Sequence, residues 1–292
     1  IFTLGFGGLA WSFYPFVVPD LLTIWEAASA TESLAIILAG TAFVLPVHPG
    51  AQDTILAGYA TRLAASPWNV PALTGASFAR WWFFDYAGAL PLLDKLLTVS
   101  PNNLYGNLFR GSNRLFVGTN VTGGKADLTR AIQLSPWNPH VRYIVSDAYT
   151  YAWPDPTRAD SEASLALLWG LDTPRVHAIL ANAATAMDDD ADAAYHLKRH
   201  SDLVTTQLVS SPTIGVGGEV ALELVPGRTY EIPITLSAGQ MLSLETGSPS
   251  EEIYDSILVL IGPNGSPVVG SDDYVDYFAG LDWVAPTSGT YK

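Results

Sequence analysis

Proline recurs in this chain at a nearly fixed interval, each time inside a similar phrase. Leu63-Ala-Ala-Ser-Pro67-Trp-Asn69 returns as Leu97-Thr-Val-Ser-Pro101-Asn-Asn103 and again as Ile132-Gln-Leu-Ser-Pro136-Trp-Asn138, so the prolines lie 34 and 35 residues apart. Looser echoes follow at Pro174 and Pro212, each 38 residues further on. A period of about 34 residues is the spacing of stacked helix–turn–helix pairs. Such a pair cannot bury its apolar face alone, so a chain built this way must stack its units and present an extended face to partners.

The repeat fills only the middle of the chain, residues 51–211, and the two ends read differently. Residues 1–48 hold three acidic groups, Asp20, Glu26 and Glu32, and no Lys or Arg. Ile1–Val18 carries no charge, and Ser33–Val47 is a second apolar run that stops at Pro46-Val-His-Pro-Gly50. Two uncharged runs joined by a short charged loop predict a membrane helical hairpin, with a buried helical hairpin of a soluble protein as the other reading. Residues 213–292 hold 11 acidic and 2 basic residues, and the net charge of the whole chain is −14. An acidic surface repels phosphate backbones and excludes nucleic acid as a partner. Cysteine is absent, which removes disulfides, thiol nucleophiles and thiolate metal sites. The first residue is Ile and the last is Lys292 directly after Gly-Thr-Tyr, which suggests a fragment.

Within the hairpin, Gly5-Phe-Gly-Gly-Leu-Ala-Trp-Ser-Phe-Tyr-Pro-Phe-Val-Val-Pro19, Leu22-Thr-Ile-Trp-Glu-Ala-Ala-Ser29 and Glu32-Ser-Leu-Ala-Ile-Ile-Leu38 resemble the C-terminal end of subunit II of bd-type quinol oxidases. The resemblance implies the last two membrane helices of that subunit and, as a partner, oxidase subunit I, through which alone haem would be present. The chain departs from that family at Leu45-Pro-Val, where the helix is cut short and the basic tail is missing. A junction near Val47 is also what a joining of two unrelated genes would leave.

In the middle, Ala89-Leu90, Leu93, Leu96 and Leu97 place small and apolar residues on one helical face before Pro101. Leu128, Ala131, Ile132 and Leu134 do the same before Pro136. Proline ends each helix, and the Asn that follows is placed to cap the next. These phrases resemble tetratricopeptide repeats, with Ala89 at the small position, and three to four and a half units are expected. Gly118-Thr-Asn-Val-Thr-Gly-Gly124 reads as an interruption, and Trp153-Pro-Asp-Pro156 and Asp188-Asp-Asp-Ala-Asp192 as inserts. The resemblance implies a protein or peptide ligand. Trp81, Trp82 and Tyr86, in an aromatic-rich stretch, are the candidates for a partner groove, with inter-repeat core as their other use.

After Pro212 the period changes to that of strands. Glu219–Leu224, Thr229–Leu236, Met241–Glu245 and Ser256–Ile261 are short β-type runs parted by Pro226-Gly227, Ala238-Gly239 and Gly262-Pro-Asn-Gly265. They predict a β-sandwich over residues 213–292. Leu236-Ser-Ala-Gly-Gln240, Asp255 to Leu260, Ser271-Asp-Asp273 and Ala285-Pro-Thr-Ser-Gly-Thr-Tyr291 resemble the bacterial pre-peptidase C-terminal domain. That resemblance implies an extracytoplasmic, non-catalytic module, and so a membrane-associated protein with its soluble part outside the cytoplasm.

Little in the chain suggests chemistry. Asp272, Asp273 and Asp276 offer oxygen ligands for Ca²⁺ in a turn region. Asp192, His196 and His200 follow at four-residue spacing, which a metal could use, although a solvated helix face explains them as well. Gly118 to Lys125 lacks the spacing and the hydroxyl residue of a phosphate loop, because Ala126 stands where Ser or Thr is needed. No catalytic residue and no cofactor held by this chain are expected. The expected architecture is a membrane hairpin, then an all-α repeat array, then an all-β sandwich.

Overall fold

The computed structural model describes residues 16–18, 22–23 and 51–292, except 216, 223–224, 226, 248–255 and 273–277. Most of the expected membrane hairpin therefore lies outside the described residues. Five of its residues depart from helix: β1 (Phe16–Val18) pairs antiparallel with β2 (Leu22–Thr23). Pro15 and Pro19 bracket Phe16–Val18, and proline disfavours helix both at its own position and at the residue before it. Among the described residues, no helix is long and apolar enough to cross a membrane.

Nine helices follow among the described residues. They are α1 (Ala51–Ala65), α2 (Val70–Trp82), α3 (Tyr86–Val99), α4 (Leu104–Val117), α5 (Val121–Leu134), α6 (Pro139–Asp147), α7 (Pro156–Leu168), α8 (Pro174–Ala186) and α9 (Asp190–Val204). The residues Ala148–Ala152 continue α6 as a wider π-turn. The chain divides into two compact units, Ile1–Leu134 and Ser135–Lys292, so α1 to α5 belong to the first and α6 to α9 to the second.

The proline phrases mark the helix ends. α1, α3 and α5 stop at Ala65, Val99 and Leu134, each two residues before its proline. The following Asn caps the next helix in each case. Asn69 Oδ1 accepts from Ala72 N at 2.8 Å, Asn103 Oδ1 from Gly106 N at 2.7 Å, and Asn138 Oδ1 from His140 N at 3.0 Å. Thr173 Oγ1 does the same for Val176 N. The helices form four pairs, α2–α3, α4–α5, α6–α7 and α8–α9, preceded by α1.

Each pair crosses at small residues. Ser77, Gly111, Ser146 and Ala181 are the eighth residues of α2, α4, α6 and α8, and all four are buried. Ala89, Gly124, Ala159 and Ala193 are the fourth residues of α3, α5, α7 and α9, and these too are buried. The glycine run that reads as an interruption is part of this pattern. Gly118–Asn120 is a tight turn with Gly118 and Asn120 at positive φ, and Val121–Gly124 opens α5. A Cβ on Gly111 would lie 2.8 Å from Leu128 Cγ and 2.9 Å from the Gly124 carbonyl, so α4 and α5 approach too closely for a side chain. The two expected inserts are likewise ordinary joints of the array. Asp155 caps α7 and Asp189 caps α9, with Asp190 and Asp192 in the first turn of α9.

The remaining strands all lie in the second unit: β3 (Gln207–Ser210), β4 (Arg228–Glu231), β5 (Ile234–Leu236), β6 (Met241–Glu245), β7 (Leu258–Ile261), β8 (Pro267–Ser271), β9 (Gly280–Val284) and β10 (Gly289–Tyr291). β3 pairs parallel with β4; β5 with β10, β6 with β9 and β7 with β8 pair antiparallel. Reciprocal backbone bonds between Ile261 and Lys292 extend β7 towards β10. Ile234, Leu236, Leu242, Leu260, Val269, Leu281, Ala285 and Tyr291 close around one apolar cluster. Met241–Glu245 takes the strand that its alternation predicts. The run Thr229–Leu236 is split at Pro233, which has no N–H to donate, and the described residues 219–222 form no strand. The β7–β8 hairpin packs on α9, where the backbone of Gly270 sits against Leu197 and Ala194.

Candidate functional site

Within each unit, the first helices of successive pairs touch one another: α2 meets α4, and α6 meets α8. The second helices of successive pairs make no comparable approach. In each unit, then, α2 and α4, or α6 and α8, lie side by side and form one face of the helix pairs.

In the first unit this face is aromatic. Phe78 of α2 packs on Phe109 of α4 with ring centroids 5.4 Å apart, and Trp81 packs on Phe109 at 5.2 Å. Tyr105 lies along Phe109 at 6.0 Å, and Trp81 Nε1 donates to Ser112 Oγ at 3.4 Å. Trp82 lies on another side of Phe78, at 6.2 Å. Trp81 and Trp82 are thus brought together through Phe78, both half-buried. Tyr86 stands apart from them: it opens α3 and stacks on Phe116 at 4.3 Å with the rings only 13° from parallel.

In the second unit the corresponding face is polar. Tyr143, Asp147 and Tyr151 fall one helical turn apart along α6 and its π-turn, and Arg175 and Asn182 come from α8. Arg175 donates to Asp147 Oδ1 at 3.0 Å, with its guanidinium 4.6 Å from the centre of the Tyr151 ring. Asn182 Nδ2 donates to the Tyr151 hydroxyl at 3.1 Å. Burial raises the Asp147 carboxyl above its usual range, with Arg175 opposing. Burial, reinforced by the Asp147 charge, pushes the Tyr143 hydroxyl up to about 12. The Arg175 side chain remains 55% exposed, so a cation held by Asp147 faces outward beside Asn182 and Tyr151, where the Asp272 charge is also felt. Sequence reasoning passed over these five residues. The signal was there, because Tyr143, Asp147 and Tyr151 repeat every four residues.

Of the residues singled out for metal binding, Asp272, Asp192, His196 and His200 fall among the described residues. Asp272 is half-buried, while Asp273 and Asp276 lie outside the described residues. The solvated face expected around His196 is not observed. His196 is 7% exposed, because α9 turns it inward against His177 of α8, and His200 is half-buried. Among the described residues, no group of three His, Cys, Asp or Glu side chains is placed to hold a metal.

No family model and no curated protein matches the chain. Several solved structures are similar in fold. A MamA double mutant (RS-1 ArsTM) is 16% identical over 61% of this chain and 94% of its own, with a TM-score of 0.44. TTC0263, a thermophilic tetratricopeptide protein of Thermus thermophilus, is 16% identical over 60% of this chain and 91% of its own, with a TM-score of 0.47. YrrB, described as a tetratricopeptide protein with an unusual peptide-binding site, is 14% identical over 59% and 84%, with a TM-score of 0.42. Residues 51–204 are a helical repeat array on the strength of their own helix pairs, recurrent small crossings and recurrent caps.

Proposed function

We propose that this chain is a non-catalytic scaffold that binds protein or peptide segments along the inner helix faces of its array. The observation that supports this most is the composition of those faces. Aromatic rings at Phe78, Trp81 and Tyr105, and the outward guanidinium of Arg175 beside Asn182, are the side-chain types that anchor partners. An extended peptide offers carbonyl and carboxylate acceptors to Arg175 and apolar side chains to the rings. The test is selection of displayed peptides on the whole chain, followed by binding to Trp81→Phe and Arg175→Gln. At least one of the two variants should weaken the selected peptides by about tenfold or more with unchanged thermal stability. Peptides indifferent to both variants would place the binding surface elsewhere.

The setting of the scaffold is part of the same proposal. The N-terminal runs would tether it to a membrane, and the strands after residue 212 would form a sandwich of the pre-peptidase C-terminal kind outside the cytoplasm. The single apolar cluster shared by β5 to β10 supports a closed β module. Because the chain has no cysteine, Ser266→Cys in the exposed Pro263–Ser266 turn gives one clean thiol. Labelling by an impermeant maleimide in intact cells is the expected result, and protection until lysis would refute the outside location.

A further inference from the structure

The last helix pair buries a chain of titratable groups that partner binding does not use. His177 is 2% and His196 7% exposed, and their Nδ1 atoms face each other across α8 and α9 at 2.8 Å. His177 Nε2 lies 2.9 Å from Asp172 Oδ1, and Asp172 Oδ2 accepts from Arg199 at 2.5 Å. At the other end, His196 Nε2 lies 3.7 Å from Asp192 Oδ2. Tyr195 is edge-on to His196 with ring centroids 5.0 Å apart, His200 follows one turn along α9, and Asp160 of α7 faces Asp192. β7 and β8, which pack on α9, carry no titratable side chain.

Counting protons limits what this chain of groups can hold. Two ring nitrogens at 2.8 Å need one proton between them and have no room for two. Arg199, and after it His177, hold the Asp172 carboxyl below its usual range, so it stays ionised and takes the Nε2–H of His177. In the neutral pair, His177 Nδ1 is then a lone pair that accepts from His196 Nδ1–H. His196 Nε2 is left bare in front of Asp192, and a first added proton has a place there. A second has only His177 Nδ1 to go to, where it sets two N–H groups and two cations head to head.

We propose that the His177–His196 contact is an acid-operated latch: it holds α8 to α9 while the pair carries at most one added proton, and the second parts the helices. The β7–β8 hairpin shares in the release, because a Cβ at Gly270 would already meet Leu197 Cδ1 at 3.0 Å and Ala194 Cα at 3.5 Å, so the hairpin is seated directly on α9. Burial lowers the proton affinity of His196, against Asp192 which raises it, and a charge on His177 lowers it further. A histidine depressed in the folded state takes its proton first in the open state. The latch is therefore fully closed above the unfolded value near 6.5 and weakens as the pH falls below it.

The test is amide hydrogen exchange on the whole chain at pH 7.5 and 5.0, corrected for intrinsic rates, in the parent and in His196→Asn. The Asn amide donates to the bare His177 Nδ1 and, turned over, accepts from it once protonated, so no second cation is ever set against the first. Opening in α8, α9 and β8 should rise by tenfold or more in the parent at pH 5.0, while α3 and α4 stay unchanged and the variant responds far less. Equal protection of α8 and α9 at both pH values in the parent, or the same rise in the variant, would overturn the latch. Should the variant fail to fold, ring ¹⁵N shifts of the parent decide. Two coupled titration steps, with the second accompanying the exchange, support the latch. Two rings that titrate independently of each other sink it.

Discussion

At the scale of single residues, this array is held by small polar caps and by missing side chains. Asn69, Asn103 and Asn138 each satisfy a backbone N–H that the preceding proline turn leaves open. Replacing any one by Ala is expected to cost about 1 kcal/mol in chemical denaturation. The glycines divide sharply. Gly58 in α1 has nothing within 4 Å of the point where a methyl would stand, so Gly58→Ala should stabilise by up to about 1 kcal/mol. Gly111 faces Leu128 and the Gly124 carbonyl, so Gly111→Ala should destabilise by roughly 1–3 kcal/mol. The caps were legible because Ser-Pro-x-Asn is a local signal. The need for Gly111 was not, because the atoms that exclude a methyl come from the next helix.

At the scale of elements, pairs of helices are locked by buried ion pairs as well as by close crossings. Asp127 of α5 is 7% exposed and accepts from Arg110 at 2.7 Å and from Arg114 at 2.7 Å, both on α4. Asp127→Ala leaves two cations without their buried partner and should cost about 3 kcal/mol by thermal or denaturant unfolding. Asp94 reaches the same two arginines at 3.1 and 3.2 Å, but its side chain is 56% exposed. Asp94→Ala should therefore cost less than about 1 kcal/mol, and the contrast between the two variants measures the effect of burial. Among the strands, Leu260→Ala empties the middle of the apolar cluster and should cost about 2–5 kcal/mol. Alternation alone misread residues 219–222, since a strand needs a neighbour to bond, and it passed over β8 and β9, whose pattern is broken by Gly270 and Gly280.

At the scale of the whole molecule, function rests on how the repeats and the β elements are joined. The second unit contains both α6 to α9 and the strands β3 to β10, so unfolding followed by probes in β5 to β10 should track α8 and α9 rather than the first unit. Because His196, whose proton affinity burial lowers, sits in that unit, the stability of α8 and α9 should rise between about pH 5 and 7 while that of the first unit changes less, as read by exchange in each segment.

The sequence by itself determined the period, the helix ends and the caps, since each depends on proline geometry and on hydrogen bonds a few residues long. It also marked the change from helical to strand periodicity near Pro212. Tertiary structure alone decided which of the small residues are crossings, that the Gly118–Gly124 run continues the array, and that His196 meets His177. Those outcomes depend on atoms 13 to 31 residues distant, as with Arg114 to Asp127, His177 to His196, and Trp81 to Ser112. No local pattern specifies which of several apolar or polar residues a packed neighbour will face.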